Sequence, residues 1–278
     1  MLATAGDSFT SSDVSPTDVS PTDQATVPGL LYRVRGLTKR YGEKTVLDGL
    51  DFDVERGECL VILGRSGSGK SVTLRQLNGL DRPQAGAVVF DGVDLTDLSE
   101  RRLAPLRQRI AMLFQSSALF DSMSVFDNVA FPVREHGDLD DDEIGRRVRE
   151  QLARVHLEGV EEKLPADLSG GMKKRVALAR SLMMDPEVVL FDEPTTGLDP
   201  VTSATIGRLI ESVQEMGVTS VVVTHDLALA RRVADRLAFL FQGRFRFLGT
   251  WPEAEATDDP LFADFLAGRE DTGAIDAA

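Results

Sequence analysis

From Leu30 onward, apolar positions recur with two distinct periods. Leu31–Leu37 and Gly49–Val54 alternate apolar and polar residues, which predicts antiparallel strands with one face on a core. Leu60–Leu63, Val188–Phe191 and Ser220–Thr224 are continuous apolar runs, which predicts strands buried on both faces. Val72–Leu80 reads as a helix and follows the first run across the glycine-rich turn Gly64–Ser71. Strand, glycine turn and helix in that order predict an α/β sheet. Between Ser116 and Met184 the pattern becomes mainly helical. Asp140–Asp142 can cap a helix that carries Ile144, Val148, Leu152 and Val155 on one face. A second helix is expected to begin near Ser169 and stop at Asp185-Pro186. The two later buried strands should have a helix between them. Leu237–Phe241, Gln242-Gly243 and Arg244–Leu248 predict a closing hairpin. A short helix is expected around Leu261–Leu266.

Residues 1–29 have a different texture, dominated by Ser, Thr, Asp and Pro, with Ser-Pro-Thr-Asp occurring at Ser15–Asp18 and again at Ser20–Asp23. Such a segment buries too little apolar surface to offset its ordering entropy and reads as a disordered acidic tail. The expected division is this tail, an α/β body over 30–250 with a helical lobe at about 116–184, and a helical C-terminal tail over 251–278. The net charge of -14 argues against nucleic acid as a main partner, since phosphate backbones select basic surfaces. The single cysteine, Cys59, excludes an internal disulfide framework, and its apolar neighbours mark it as a buried small side chain. No apolar run approaches bilayer length and no secretory signal is visible. A cytosolic protein is expected, so any membrane role needs a membrane-embedded partner.

Three segments carry candidate chemistry. Gly64-Arg65-Ser66-Gly67-Ser68-Gly69-Lys70-Ser71 fits the phosphate-loop pattern, in which backbone N–H groups and a helix N-terminus surround phosphate oxygens. Lys70 would reach the β- and γ-phosphates and the Ser71 hydroxyl would bind Mg²⁺. The strand Val188–Phe191 ends in Asp192-Glu193. Asp192 would hold the Mg²⁺ hydration shell, and Glu193 would take a proton from, or orient, an attacking water. Leu168-Ser169-Gly170-Gly171-Met172 offers a hydroxyl and free N–H groups to an anion at a helix start, or is simply a capped helix.

These segments, with Gly197-Leu198-Asp199 and Thr224-His225-Asp226, resemble the ATP-binding-cassette (ABC) ATPases over nearly all of residues 31–250. The resemblance implies a P-loop NTPase fold with a mixed core sheet, an antiparallel β subdomain and an inserted helical subdomain. It implies that Tyr41 and Val72 border the ATP, Tyr41 stacking on adenine. Gln115 would touch Mg²⁺ and the attacking water and sense the membrane partner. Ser169, Gly170 and Gly171 would contact the γ-phosphate held by a second copy of the chain. Asp199 would couple the two sites, and His225 would contact the γ-phosphate. His136 and His156 match nothing in the family and read as surface residues.

One phosphate loop and no long heptad insertion separate the chain from the two-cassette translation factors and the coiled-coil DNA-repair relatives. Within the resemblance, a transporter subunit working with integral-membrane permease subunits at the cytoplasmic face of the inner membrane is the better fit. The segment Phe114–Phe120, continuing through Met123–Pro132, and the run Gly170–Val176 are similar to the ATPases of Mla-type phospholipid transporters, which serve MCE substrate-binding proteins. An importer ATPase for another small substrate such as amino acids, a soluble non-transport cassette, and a non-catalytic scaffold stay open here. So do two placements of the Leu261–Leu266 helix, on a neighbouring subunit or on its own domain.

Overall fold

The computed structural model describes residues 29–137 and 139–269; the acidic tail predicted for the N-terminus lies outside them except at Gly29. The alternating segments form β1 (Leu30–Tyr41) and β2 (Lys44–Glu55), antiparallel as predicted but longer. The buried run becomes β3 (Cys59–Leu63) and leads into α1 (Lys70–Leu77). This helix starts earlier than its sequence pattern because Gly69, in a left-handed conformation, caps it. It stops earlier because Gly79, at φ 61, closes a Schellman motif in which Leu80 N–H donates to Arg75 O and Gly79 N–H to Gln76 O. β4 (Ala85–Phe90) and β5 (Val93–Asp94) extend the antiparallel sheet, in the order β2-β1-β4-β5. α2 (Glu100–Gln108) and β6 (Ile110–Leu113) follow.

The helical stretch contains α3 (Val125–His136), α4 (Asp141–Arg154) and α5 (Gly170–Ser181). Their N-caps are Ser124, Asp140 and Ser169, each accepting a backbone N–H with its side chain. β7 (Val188–Asp192), α6 (Pro200–Glu215), β8 (Thr219–Thr224) and α7 (Leu227–Val233) complete the crossovers. β9 (Arg236–Phe241) and β10 (Arg244–Gly249) make the expected hairpin, with Gln242 and Gly243 both at positive φ, as a two-residue turn of this hand requires. Two short helices rather than one follow, α8 (Trp251–Glu255) and α9 (Pro260–Leu266).

The second sheet has the order β10-β9-β3-β8-β7-β6 and is parallel except for its β10 edge. Its strands feed two cores at once. Val61, Leu63, Val189, Phe191, Val222 and Phe239 face the core shared with α3 to α7. Leu60, Ile62, Leu190, Val221, Val223 and Leu240 face the core shared with α1, α2 and the antiparallel sheet. Burial on both faces is the reason these strands read as unbroken apolar runs. Cys59 is buried, and burial pushes its thiol pKa well above the ordinary range. Phe262 of α9 is fully buried on its own domain, with its ring centroid 4.8 Å from Phe239 and 4.9 Å from Phe247.

At the far end of the strands, Arg56, Asp91, Arg109 and Glu187 close a ring of alternating charge. It ties the antiparallel sheet to the starts of β6 and β7. The Arg109 guanidinium also lies over the Phe90 ring, 4.9 Å from its centroid.

Candidate active site

Parallel sheets place chemistry at the carboxyl ends of their strands, where the chain turns outward. Here four neighbouring strands do so. β3 runs into the glycine loop before α1, β7 ends at Asp192-Glu193, and β8 ends at Thr224, before His225. β6 ends at Leu113, two residues before Gln115. Tyr41, Arg65, Ser66, Gly67, Gly69, Lys70, Ser71, Val72, Gln115, Glu193 and His225 all line one cleft of about 1290 Å³. Asp192 sits beside it, accepting a 2.8 Å hydrogen bond from the Ser71 hydroxyl at Oδ1. Gly64 and Ser68 lie beneath the loop rather than on the cleft wall: a Cβ on Gly64 would stand 2.6 Å from both Leu240 O and Ser68 Oγ.

The loop conformation is specific to glycine at Gly69. Its φ is 109, and a Cβ there would meet Val46 O at 2.9 Å. The next residue, Lys70, is buried, and its Nζ donates to Gly64 O at 2.7 Å and Arg65 O at 3.0 Å. The same Nζ is 3.1 Å from Glu193 Oε1. The other carboxylate oxygen of Glu193 is 2.9 Å from His225 Nδ1. Glu193 itself has φ 47, a left-handed conformation, and its two carboxylate oxygens meet Lys70 and His225.

Burial raises the Asp192 pKa, while the Ser71 hydrogen bond opposes the rise. The Ser71–Asp192 oxygen pair is the donor chemistry that Mg²⁺ prefers. Among the described residues no group of three or more His, Cys, Asp or Glu side chains could cage a metal alone. Two protein oxygens completed by phosphate oxygens and water is the pattern Mg²⁺ adopts with nucleotides, so the residues present fit it. The buried Ser68 hydroxyl has no hydrogen-bond partner within the chain, leaving one polar group of the loop unpaired.

Tyr41 is 45% exposed and its hydroxyl donates to Asp81 Oδ2, so the ring is presented to the cleft mouth from a fixed hinge. Lys44, Val46, Thr196, Leu227, Phe265, Gly268 and Arg269 also line the cleft, and no local motif singles them out. His136 and His156 are exposed and away from it.

Two groups of candidate residues lie outside the cleft. Ser169 caps α5 by accepting from Met172 N–H, and Ser169 and Gly170 are exposed. Gly171 is buried where a Cβ would strike the Thr202 methyl at 2.3 Å. Asp199 caps α6, and the Thr202 hydroxyl with the helix amides holds its carboxyl below the usual carboxylate range. The α5 start therefore presents an exposed hydroxyl and glycine that do not line the cleft of their own chain.

The family profile described as ABC transporter matches residues 47–196, slightly more than half of the chain. The chain belongs to the ABC transporter ATPases. This ABC ATPase is 41% identical over 242 residues to the probable ribonucleotide transport ATP-binding protein mkl of Mycobacterium leprae, covering 87% of the chain and 70% of that protein. It is 39% identical to the intermembrane phospholipid transport system ATP-binding protein MlaF of Haemophilus influenzae, covering 87% of the chain and 92% of that protein. Among solved structures, the dimeric ATP-binding cassette MJ0796 bound to ADP and Pi matches with TM-score 0.74 and 33% identity, over 79% of the chain and 98% of that structure. The ABC ATPase is therefore an ATP-hydrolysing transporter subunit. Among the described residues no helix is long and apolar enough to cross a membrane.

Proposed function

We propose that this ABC ATPase powers phospholipid transport across a cell envelope. It would do so as two copies with ATP between them, docked on integral-membrane permease subunits at the cytoplasmic face of the membrane, with an MCE protein carrying the lipid. The likeness to MlaF over 92% of that protein's length carries the lipid reading. The exposed Ser169-Gly170 helix start, which does not line the chain's own cleft, and the dimeric cassette among the structural relatives support the sandwich.

Within one chain, Lys70 and the amides from Arg65 to Ser71 would bind the phosphates, and Tyr41 and Val72 would border the base. Ser71, Asp192 and Gln115 would hold Mg²⁺, which supplies charge neutralisation on the phosphates when bound. Glu193 would accept the proton of the attacking water, with His225 fixing its carboxylate and touching the γ-phosphate. Ser169, Gly170 and Gly171 of the partner copy would close over that phosphate, and Asp199 would link the two sites. Positioning and charge supply most of the catalysis in such a transfer.

The test is co-purification with the membrane partner, reconstitution in vesicles carrying a fluorescent phospholipid, and assay of ATP-driven lipid movement. Recovery of an amino-acid permease, or no lipid movement from an assembly that hydrolyses ATP, would sink the lipid reading. The name of the mycobacterial relative favours a second reading, ribonucleotide transport; stimulation of hydrolysis by ribonucleotides but not by lipid would select it.

A further inference from the structure

The run Met172-Lys173-Lys174-Arg175 looks like a solvated charged turn of helix, yet Lys174 is buried, only 5% exposed. Its ammonium donates to three main-chain carbonyls: Pro194 O at 2.7 Å, Thr196 O at 2.9 Å and Glu193 O at 3.4 Å. Those carbonyls belong to the turn that leaves β7, the same turn in which Glu193 takes its left-handed φ of 47. Within the turn, Glu193 O also accepts from Thr196 N–H at 3.2 Å, and Glu193 N–H donates to Val223 O at 3.0 Å. Burial of an ammonium is costly unless every proton finds an acceptor, and here three acceptors converge on it. Methionine or leucine would fill the space at lower desolvation cost, so a surface-packing role does not account for a lysine here.

Lys174 sits on α5, the helix whose exposed start is Ser169-Gly170. Lys174 therefore links α5 directly to the backbone of the Glu193 turn. We propose that Lys174 is a positioning residue for Glu193, tying the carboxylate's orientation to the seat of α5, so that a second copy's nucleotide engaging Ser169 also sets the base in this chain's own site. This rests on the reading of Glu193 as the base and of Ser169 as the group that meets the partner's nucleotide.

The experiment uses the full chain and steady-state ATP hydrolysis, with Lys174→Met, Lys174→Arg, Glu193→Gln and the double variant Lys174→Met/Glu193→Gln. Lys174→Met is expected to lower kcat about tenfold, the scale of one lost positioning hydrogen-bond set, with KM for ATP changed less than about twofold. Lys174→Arg keeps donors at the same place and is expected to recover most of kcat. In the Glu193→Gln background, Lys174→Met is expected to change the residual rate by less than about twofold, since a group acting through Glu193 has nothing left to position. A further large loss in that background would overturn the proposal, because it would show damage unrelated to Glu193. Parent-like kcat in folded Lys174→Met would overturn it as well. If Lys174→Met does not fold, Lys174→Arg decides: parent-like kcat supports the assignment, and a folded arginine variant with kcat lost tenfold overturns it. Parent-like hydrolysis by Glu193→Gln would instead remove the base assignment itself, a distinct failure.

Discussion

Lys70 and Glu193 face each other at 3.1 Å on the floor of the cleft, although 123 positions separate them in the chain. The contact joins the cation that would bind phosphate to the carboxylate that would activate water. In that pairing Lys70 also keeps two loop carbonyls, so its ammonium is fully occupied before phosphate arrives.

Glu193→Gln should separate binding from turnover. The amide keeps the shape and the hydrogen-bond reach toward His225 but cannot take a proton, so kcat is expected to fall roughly 100-fold or more, the scale of losing a general base. Binding of a fluorescent ATP analogue should stay within a few-fold of the parent, and size-exclusion chromatography should show an ATP-dependent pair of chains. Parent-like turnover would refute the role.

Lys70→Ala and Ser169→Arg should each abolish hydrolysis alone and recover it when mixed. In a mixed pair, one composite site carries both lesions and the other carries an intact Lys70 and an intact Ser169. Hydrolysis rising from background to a quarter or so of the parent rate on titration of one variant into the other is the expected result, the fraction following from random pairing with one intact site per mixed pair. No recovery in a mixture proven to pair would exclude the shared site.

Glu187→Gln should weaken the ring of Arg56, Asp91, Arg109 and Glu187. The hydrogen bond from Arg109 is the main cause of a Glu187 pKa below its ordinary value of about 4.5, assisted by Arg56 and opposed by burial. A depressed native pKa means that the unfolded chain binds the proton more readily. The stabilisation is therefore complete above about pH 4.5 and is lost as pH falls through the lower native value. The ring is partly exposed, so screening limits the expected cost to about 0.5–1 kcal/mol at neutral pH, or roughly 1–4 °C in Tm. The difference between parent and variant should shrink in molar salt and as pH falls through the depressed native pKa, measured by calorimetry.

Phe262→Ala should release α9. The ring is fully buried between Phe239 and Phe247, so its loss is expected to cost about 3 kcal/mol of docking energy. Hydrogen exchange over Pro260–Leu266 should rise sharply while exchange in β3 and β7 changes little. Uniform loosening of all elements would show that α9 supports the whole fold rather than capping one edge of it.

The sequence by itself determined what depends on a single segment. Strand burial on two faces leaves an unbroken apolar run, as in Leu60–Leu63 and Val188–Phe191. The Gln242-Gly243 turn leaves its conformational signature in two residues. The phosphate loop is legible for the same reason, since its glycines and Lys70 are consecutive. Helix ends were less legible: α1 is set by the left-handed residues at Gly69 and Gly79, not by where its apolar pattern fades.

Tertiary structure decided everything that depends on the order of strands in the sheet. Ser71 and Asp192 meet because β3, β8 and β7 lie side by side, and nothing in either segment alone requires it. The same crossovers bury Lys174 while Lys173 beside it stays half-exposed, a distinction invisible in a run of like charges. They also seat α9 on its own domain, an outcome its helical period left undecided between self and neighbour. Periodicity records how much of a segment is buried; only the packed chain fixes which partner buries it.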